Sequence, residues 1–422
     1  MFCEIEIPVG DFVSAISYAV DLSVPSLNNH HQRVAYISWR IAQEMGMTNS
    51  AIQDIVLAAK LHDIGAFSRK ELLGLQAFEA QGEKFNAHAF LGYKLLRNFK
   101  PLSSAALLIK DHHNRYDCTR NDVLLGSHIM FLADRVSVLF EKDREILGQS
   151  PDIITRITDN RGLFHPIVLS AFLRLAQREY FWVEAACPTL SASEVKKAKL
   201  TTELVDIDTF YSYARLLAQI IDFRSSFTAT HSSGVAAVAS ELTRIAGFSE
   251  NDACVMKITG FLHDLGKVTV PSEILEKESA LSEEEFNSIR KHTYYTYVIL
   301  NSIRGMDNIA KLASYHHERQ NGHGYPFHID GEEFTTLPQI MAVADVLTAL
   351  SEDRPYRCGM DQGQALEVLF KMAEKGGIDK NICEMAGREF FRINAARVRA
   401  QQRAQSEYQA FYRVEVASDD GE

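Results

Sequence analysis

The sequence predicts an all-α protein built from two tandem helical domains. Three observations lead to this prediction: a length of 422 residues, apolar side chains at helical spacing, and a set of histidines and aspartates that occurs twice in register. Period-two alternation, which would indicate strands, is nearly absent. The hydrophobic share of 46% and the charged share of 23% are typical of a soluble globular protein with a full core.

The helical spacing is clearest in two apolar stripes. These stripes are Val34, Ile37, Ile41 and Met45, and Val235, Val238, Ala239, Leu242, Ile245 and Ala246. A histidine precedes each stripe by about one turn on the same helical face, His30 in the first and His231 in the second. We therefore expect both imidazoles to point towards the core.

The repeat is organised around the motif Leu-His-Asp-aliphatic-Gly, at residues 61–65 and 262–266. In each copy a histidine lies 32 residues before the motif's histidine, and another lies 24 residues before a His-His pair. An aspartate in an apolar stretch completes each set. The first set is His30, His62, Asp63, His88, His112, His113 and Asp134, and the second is His231, His263, Asp264, His292, His316, His317 and Asp345.

The repeat places the domain boundaries. We expect an N-terminal domain at residues 1–186, a polar linker at 187–200, a C-terminal domain at 201–405 and an acidic tail at 406–422. Ten of the 15 histidines belong to the two sets. The others are expected to be ordinary packing or surface residues, namely His31, His128, His165, His323 and His328, with His323 set apart by its place in a glycine-rich loop.

Charge and hydropathy exclude several kinds of partner. A net charge of −11 argues against a nucleic-acid polymer, whose phosphates require a basic face. No stretch approaches the roughly 20 uninterrupted apolar residues of a membrane span, and acidic residues follow Met1 where a signal peptide carries positive charge. We expect a cytoplasmic protein that does not bind membranes, and the sequence leaves open a homodimer or a signalling-protein partner.

Each set of five imidazoles and two carboxylates predicts a pair of divalent metal ions. Imidazole favours mid-first-row metals, and a carboxylate can bridge two of them. Two such ions can clamp a phosphodiester and generate hydroxide near neutral pH. A lone histidine on an apolar face is more often a hydrogen-bonded core residue, but seven residues that recur in register favour the metal interpretation.

The C-terminal domain resembles the HD-GYP family, a branch of the HD superfamily of metal phosphohydrolases. The segments that carry the resemblance are His263-Asp264-Leu265-Gly266-Lys267, His316-His317-Glu318-Arg319-Gln320-Asn321-Gly322-His323-Gly324-Tyr325-Pro326 and Asp353-Arg354-Pro355-Tyr356-Arg357. It covers roughly 200 residues, and it implies an all-helical fold, a bimetal or trimetal centre and hydrolysis of the bacterial messenger cyclic di-GMP. Together with the repeat, it predicts two tandem HD-type domains.

The resemblance also implies roles for individual residues. One metal would be held by His231, His263 and Asp345, the other by His292, His316 and His317, and Asp264 would bridge them. Phe227 stands where some members have a third-metal glutamate, so we expect two divalent ions, Fe or Mn in the first instance and Ni or Zn as alternatives. A hydroxide between the metals would attack phosphorus.

Further residues would act on the substrate. Lys267, with Asp264, is the candidate catalytic residue, because its ammonium could hold water or a phosphate oxygen. The substrate-binding candidates are Gly324, Tyr325, Pro326, Arg354 and Arg357. Without the resemblance, a solvated lysine would be the better interpretation of Lys267, and a surface pair would be as good an interpretation of Arg354 and Arg357. Loop packing is the alternative role of Tyr325.

Three functions compete. The first is hydrolysis of cyclic di-GMP to linear pGpG, and onward to GMP. The second is the same chemistry on another cyclic dinucleotide such as 3′,3′-cGAMP, because the sequence does not distinguish the base pockets. The third is a receptor that binds the nucleotide without cleaving it.

The N-terminal domain keeps all seven ligand candidates but departs from the family pattern around them. Ala66 replaces Lys267, Asn114 replaces Glu318, and the interval from the His-His pair to the last aspartate is 21 residues rather than 28, which removes the Gly-Tyr-Pro loop. A metal-loaded regulatory domain is the favoured interpretation. A second phosphohydrolase and a structural relic are the alternatives.

Overall fold

The computed structural model of the chain describes residues 7–23, 29–66, 74, 78, 83–118, 122–196, 204–222, 230–277, 279–329, 334–353 and 358–413. The chain divides into two compact units, one formed by residues 8–204 and the other by residues 205–422 together with 1–7. Helices make up nearly all of the regular structure. The predicted all-α fold is confirmed, since the regular strands of the described residues are β1, Ile7–Pro8, and β2, Leu204–Val205, which pair with each other.

The first unit, residues 8–204, contains ten described helices. They are α1 Val9–Ser23, α2 His30–Glu44, α3 Asn49–Leu61, α4 Glu83–Leu96, α5 Ser103–Lys110, α6 Leu125–Ser137, α7 Ile146–Asp159, α8 Pro166–Leu175, α9 Glu179–Ala186 and α10 Pro188–Lys196. Single 3₁₀ turns lie at Lys100–Leu102, Tyr116–Cys118 and Arg161–Leu163. Helix α2 is central, because α1, α3, α6 and α8 all pack against it.

The second unit contains another ten described helices. They are α11 Ile207–Asp222, α12 His231–Ile245, α13 Glu250–Leu262, α14 Ser272–Leu275, α15 Glu283–Asn301, α16 Asp307–Ser314, α17 Thr336–Ser351, α18 Gln362–Glu374, α19 Lys380–Arg388 and α20 Phe390–Arg413. Two 3₁₀ segments, Leu265–Thr269 and Tyr315–His317, lie between helices. Helix α12 packs against α13, α17 and α20.

The apolar stripes of α2 and α12 face the two cores as predicted. Val34, Ile37 and Ile41 are fully buried in the first unit, and Val235 and Val238 in the second. The histidines that begin these helices are buried too, as their register predicts. Each helix therefore presents its first residue to the interior of its own unit.

One segment differs from the predicted organisation. The residues expected to form a polar linker contain helix α10, Pro188–Lys196, which packs against α2. Ser191 and Val195 lie one turn apart and each is only 1% exposed. Burial of this narrow face is sufficient to hold a helix whose sequence is otherwise polar. Helix α20 similarly continues to Arg413, beyond the predicted start of the tail at 406.

None of the helices in the described residues is both long enough and apolar enough to cross a membrane. Cys187, Cys358 and Cys383 are free thiols.

Candidate metal centres

The seven predicted ligands of the second unit lie on five separate segments of the chain, which the fold brings together. His231 begins α12, His263 and Asp264 follow the last residue of α13, and His292 lies in the middle of α15. His316 and His317 occupy a 3₁₀ turn, and Asp345 lies in α17. All of these side chains are buried or nearly so. Side chains that are far apart in the sequence thus form a single cluster.

The distances within the cluster define two neighbouring groups joined by Asp264. Nε2 of His263 is 3.2 Å from Oδ2 of Asp264, whereas Nε2 of His292 is 3.3 Å from Oδ1 of the same carboxylate. On the His263 side, Nε2 of His231 is 3.3 Å from Oδ1 of Asp345. On the His292 side, the Nε2 atoms of His292 and His316 are 3.2 Å apart. Each carboxylate oxygen of Asp264 therefore faces a different group of imidazoles.

Backbone carbonyls orient three of these imidazoles. Nδ1 of His263 donates to the carbonyl oxygen of Gly260 at 2.7 Å, and Nδ1 of His292 donates in the same way to Ile289 at 2.7 Å. His316 donates to the carbonyl three residues earlier at 2.6 Å. Because a carbonyl can only accept, the proton resides on Nδ1 and Nε2 keeps its lone pair for a ligand.

The residues fit a pair of divalent cations. Nε2 of His263 is buried without a hydrogen-bond partner, and leaving such an atom unpaired is costly unless something else occupies its lone pair. The potential ligands form two groups, and within each group the ligand atoms lie within 4.8 Å of one another. The first group is His231, His263 and Asp264. The second group is His292, His316 and His317. Imidazole nitrogens with a shared carboxylate are a donor set for mid-first-row metals.

The electrostatics keep most of the ligands in their metal-binding form. Burial lowers the pKa of His317 to about 3 and holds the pKa of His316 well below its usual value, so both are neutral near pH 7. Burial would raise the pKa of Asp264, but electrostatic interactions with the imidazole of His263 and then with the ammonium of Lys267 outweigh it and keep the carboxylate ionised. His231 is the exception. Burial lowers its pKa, yet Glu352 and Asp345 raise it overall to about 10.

Lys267 lies beside the carboxylate that joins the two groups. Its Nζ is 2.5 Å from Oδ2 of Asp264, and its side chain is 22% exposed while that of Asp264 is 6% exposed. The ammonium group thus stands at the edge of the buried cluster, where a ligand that enters from solvent would meet it.

The Gly-Tyr-Pro loop packs directly on the cluster. The ring of Tyr325 lies 5.0 Å from that of His317, centroid to centroid, and its amide donates to the carbonyl oxygen of His317 at 3.2 Å. Gly324 allows the loop to approach, because a Cβ atom there would be 2.4 Å from Cα of Glu318. The guanidinium of Arg290 stands 4.9 Å from the centre of the Tyr325 ring.

Three residues outside the predicted set support this site. Glu318 is fully buried and accepts the amide of Phe327 at 2.7 Å, which braces the loop. Glu352 accepts from Nδ1 of His231 at 3.1 Å, and Arg290 faces Tyr325. Glu318 had a sequence signal, since it follows the His-His pair directly. Glu352 and Arg290 had none, because their partners are distant in the chain.

Some predicted residues lie outside the described part of the chain. These are Arg354 and Arg357, the proposed grips on phosphate or base, and Phe227, on which the expectation of two rather than three metals rests. Their roles stay predictions.

The first unit reproduces the same arrangement. Nε2 of His62 is 3.2 Å from Oδ2 of Asp63, and Nε2 of His88 is 3.2 Å from Oδ1 of that carboxylate. Nε2 of His30 is 3.2 Å from Oδ1 of Asp134, and His112 lies 3.4 Å from His88. His113 completes the cluster at 3.1 Å from His88. The seven predicted ligands of the N-terminal set are thus gathered as in the second unit.

The surroundings of this first cluster differ from those of the second. Nη2 of Arg135, a side chain only 2% exposed, lies 2.5 Å from Oδ2 of Asp134, and the second unit has Val346 at this position. Ala66 stands where Lys267 does. Asp63 keeps a low pKa, because the charge of His62 outweighs the effect of burial.

One expectation about the remaining histidines is corrected. His31 is not an ordinary packing residue, since it is 1% exposed and its Nε2 lies 3.7 Å from Oδ2 of Asp63, within the cluster. Its signal in the sequence was adjacency to His30, but His31 has no histidine in register with it in the second repeat, where Ser232 follows His231. By contrast, the ring of His128 stacks near that of His165, and His323 and His328 are exposed.

Family comparisons agree with this architecture. A family model described as HD domain matches residues 215–382, and a second model of the same description matches residues 28–139. Each unit therefore contains an HD domain.

Three proteins that are similar to this chain are described as phosphodiesterases of cyclic dinucleotides. The chain is 28% identical over 392 residues to the 3′3′-cGAMP-specific phosphodiesterase 1 of Vibrio cholerae, with 87% of this chain and 89% of the relative covered. It is 33% identical over 162 residues to a cyclic di-GMP phosphodiesterase response regulator of Xanthomonas campestris, which covers 38% of this chain and 42% of that protein. A crystal structure of a cyclic GMP-AMP-specific phosphodiesterase from V. cholerae matches with a TM-score of 0.64 at 20% identity, covering 93% of this chain and 98% of that chain. The last likeness shows the fold.

Proposed function

We propose that the C-terminal HD domain is a metal-dependent phosphodiesterase that hydrolyses a cyclic dinucleotide. The observation that carries the proposal is the pair of ligand groups joined by Asp264, with Lys267 and the complete Gly-Tyr-Pro loop beside them. The names of the relatives support the substrate class, since the proteins described above act on cyclic dinucleotides.

The residues that would hold the metals are those of the two groups, with Asp264 shared between them. Divalent cations there would polarise a phosphodiester and lower the pKa of water near neutral pH. The chain itself contributes neutral imidazoles with fixed tautomers, an ionised carboxylate between the groups and a cation at the edge of the cluster. Water adds to phosphorus, the bond from phosphorus to one ribose 3′ oxygen breaks, and that oxygen takes up a proton. The product is a linear dinucleotide with a 5′ phosphate.

Lys267 would act on the charge that develops during this reaction. Its ammonium can hold the attacking water or a phosphate oxygen, because it lies beside Asp264 yet stays partly open to solvent. Preorganised charges of this kind stabilise a transition state more than a ground state. Tyr325 offers an aromatic face next to His317, against which a base can stack.

We propose 3′,3′-cGAMP as the first substrate to test and cyclic di-GMP as the second. The relative that matches most of this chain is described as specific for 3′3′-cGAMP, whereas the cyclic di-GMP relative cited above matches 38% of the chain. The HD-GYP resemblance of the loop is the observation that favours cyclic di-GMP. The ring of Tyr325 beside His317 offers a face on which a base of either nucleotide can stack.

The test compares both nucleotides with protein loaded separately with Fe²⁺ and Mn²⁺ under anaerobic conditions. The wild type should convert at least one of them to a linear dinucleotide, and the His263→Ala/Asp264→Ala variant should convert neither. Competition between the two nucleotides then gives the ratio of kcat/KM. Normal turnover by the double variant would contradict the assignment. Tight binding without any product would instead favour the receptor interpretation.

A further inference from the structure

The N-terminal cluster contains a sixth imidazole, that of His31, which the C-terminal cluster lacks. His31 is the second residue of α2 and is 1% exposed. Its Nδ1 lies 2.6 Å from Oδ1 of Asp21 in α1, and its backbone amide donates to the same oxygen at 3.3 Å. The ring is therefore held by a buried carboxylate, so Nδ1 carries the proton and the lone pair is left on Nε2.

Nε2 of His31 has no hydrogen-bond partner although it is buried. It faces Oδ2 of Asp63 at 3.7 Å, and its ring lies 4.9 Å from that of His62 and 5.5 Å from that of His30, centroid to centroid. Ligand atoms of His31, His62 and Asp63 all lie within 4.8 Å of one another. An unpaired imidazole nitrogen aimed at a carboxylate oxygen and beside a second such nitrogen is an arrangement that a cation would satisfy.

The C-terminal domain provides an internal comparison. The residue after His231 is Ser232, which is also 1% exposed but offers no imidazole. The carboxylate that accepts from a buried imidazole also lies on a different histidine. In the C-terminal domain Glu352 accepts from Nδ1 of His231. In the N-terminal domain the corresponding nitrogen of His30 lies 3.0 Å from the hydroxyl of Ser137. The extra imidazole with its own carboxylate is thus a feature of the N-terminal centre.

We propose that His31 is a ligand of the divalent cation held on the His62 side of the N-terminal centre, and that Asp21 is its positioning residue. A carboxylate on the far nitrogen of a ligating histidine fixes the tautomer and increases the basicity of the ligating nitrogen. The cation on this side would then have three imidazoles, from His30, His31 and His62, together with the carboxylates of Asp63 and Asp134.

This ligand set has a consequence for what the centre does. Catalytic metal sites keep a position open for water or substrate, whereas structural sites fill their positions with protein ligands. His31 adds a protein ligand, Arg135 pairs with Asp134 at 2.5 Å, and Ala66 supplies no cation beside Asp63. With three imidazoles and two carboxylates, this side of the N-terminal centre would leave fewer positions open to water or substrate than the C-terminal centre, where the corresponding donors are His231, His263, Asp264 and Asp345.

The test uses the full chain with His263→Ala, Asp264→Ala, His292→Ala and His316→Ala, so that hydrolysis is disabled and both ligand groups of the C-terminal centre lose donors. Because the readout is metal binding at the N-terminal centre, the result does not depend on the proposed function. Co²⁺ is titrated against a chelator, and its visible absorption, which reports coordination number and ligand type, is recorded. In this background His31→Ser, which copies Ser232, should weaken Co²⁺ binding by about 100-fold and change the spectrum, and Asp21→Asn should weaken it by about 10-fold.

His128→Ser is the matched control, since His128 is a buried histidine of the same unit that packs against His165 and not against the cluster. It should leave both affinity and spectrum unchanged. His31→Ser protein with native far-UV circular dichroism and with the affinity and spectrum of the parent would overturn the proposal. Should that variant not fold, His31→Gln, which keeps a similar volume, gives the same comparison with the same two outcomes.

Discussion

Nζ of Lys267 lies 2.5 Å from Oδ2 of Asp264, the carboxylate that joins the two ligand groups of the C-terminal domain. The N-terminal domain has Ala66 in this position and keeps every corresponding ligand. The pair of domains therefore separates two features that the family pattern combines, namely the set of candidate metal ligands and a cation beside the carboxylate that joins them.

Replacement of Lys267 should affect turnover much more than metal content. Lys267→Ala removes one preorganised charge from the reacting group, and loss of one such donor lowers kcat by about 10²–10³-fold. Steady-state kinetics on the preferred cyclic dinucleotide, with metal analysis of the same samples, would measure both effects.

Lys277→Ala is the control for this experiment. Lys277 also pairs with a carboxylate, Glu285 at 2.6 Å, but away from the cluster. It should leave kcat unchanged. A Lys267→Ala enzyme with wild-type kcat would show that the ammonium of Lys267 does not act on the reaction.

Metal binding to the C-terminal centre should depend on pH through His231. Burial lowers the pKa of this imidazole, but the charges of Glu352 and Asp345 raise it overall to about 10. Between pH 6 and 9 a metal ion must therefore displace a proton, so its affinity should rise about tenfold per pH unit and level off above the pKa. His316 and His317 have lowered pKa values and add no proton in this range.

Calorimetry in two buffers of different ionisation enthalpy would count the released protons. The measurement uses a chain in which His62→Ala, Asp63→Ala, His88→Ala and His112→Ala remove donors from both ligand groups of the N-terminal centre. Glu352→Gln removes the charge that most raises the pKa of His231, so it should lower the number of protons released and flatten the pH dependence. Equal proton release by Glu352→Gln and its parent would contradict this account.

Gly266 should tolerate no side chain. A Cβ atom there would lie 1.9 Å from the carbonyl oxygen of His292 and 2.7 Å from the amide nitrogen of Thr296, both in α15. Gly266→Ala must push α15 away from Asp264, and overpacking of this kind costs roughly 1–3 kcal/mol or more. We expect a lower Tm and weaker metal binding on the side of His292.

Gly363→Ala provides the comparison. Gly363 lies in α18, where a Cβ would make only an ordinary contact of 3.5 Å with Asp361, so this change should be neutral or slightly stabilising. Differential scanning calorimetry and metal analysis of the two variants would test the difference. Wild-type metal binding by Gly266→Ala would mean that the close packing of this glycine against α15 is not needed for the site.

The sequence by itself determined the helical class, the two-domain repeat and the main ligand clusters. It could do so because these features are local or periodic. Helices α13 and α15 begin with capping boxes at Ser249 and Ser282, and the His-Asp motif follows the end of α13. The imidazoles of His263, His292 and His316 are oriented by carbonyls only three residues away, so the local backbone sets the orientation of each ring.

Only the tertiary structure decided which further residues touch the clusters. Glu352 reaches His231 across 121 positions of sequence, and Asp21 reaches His31 from another helix. Neither contact follows a helical period, because each depends on how two helices pack. The same packing decides that Ser191 and Val195 are buried in α10 rather than exposed in a linker. Long-range packing thus placed the supporting carboxylates and the sixth imidazole, which local pattern cannot specify.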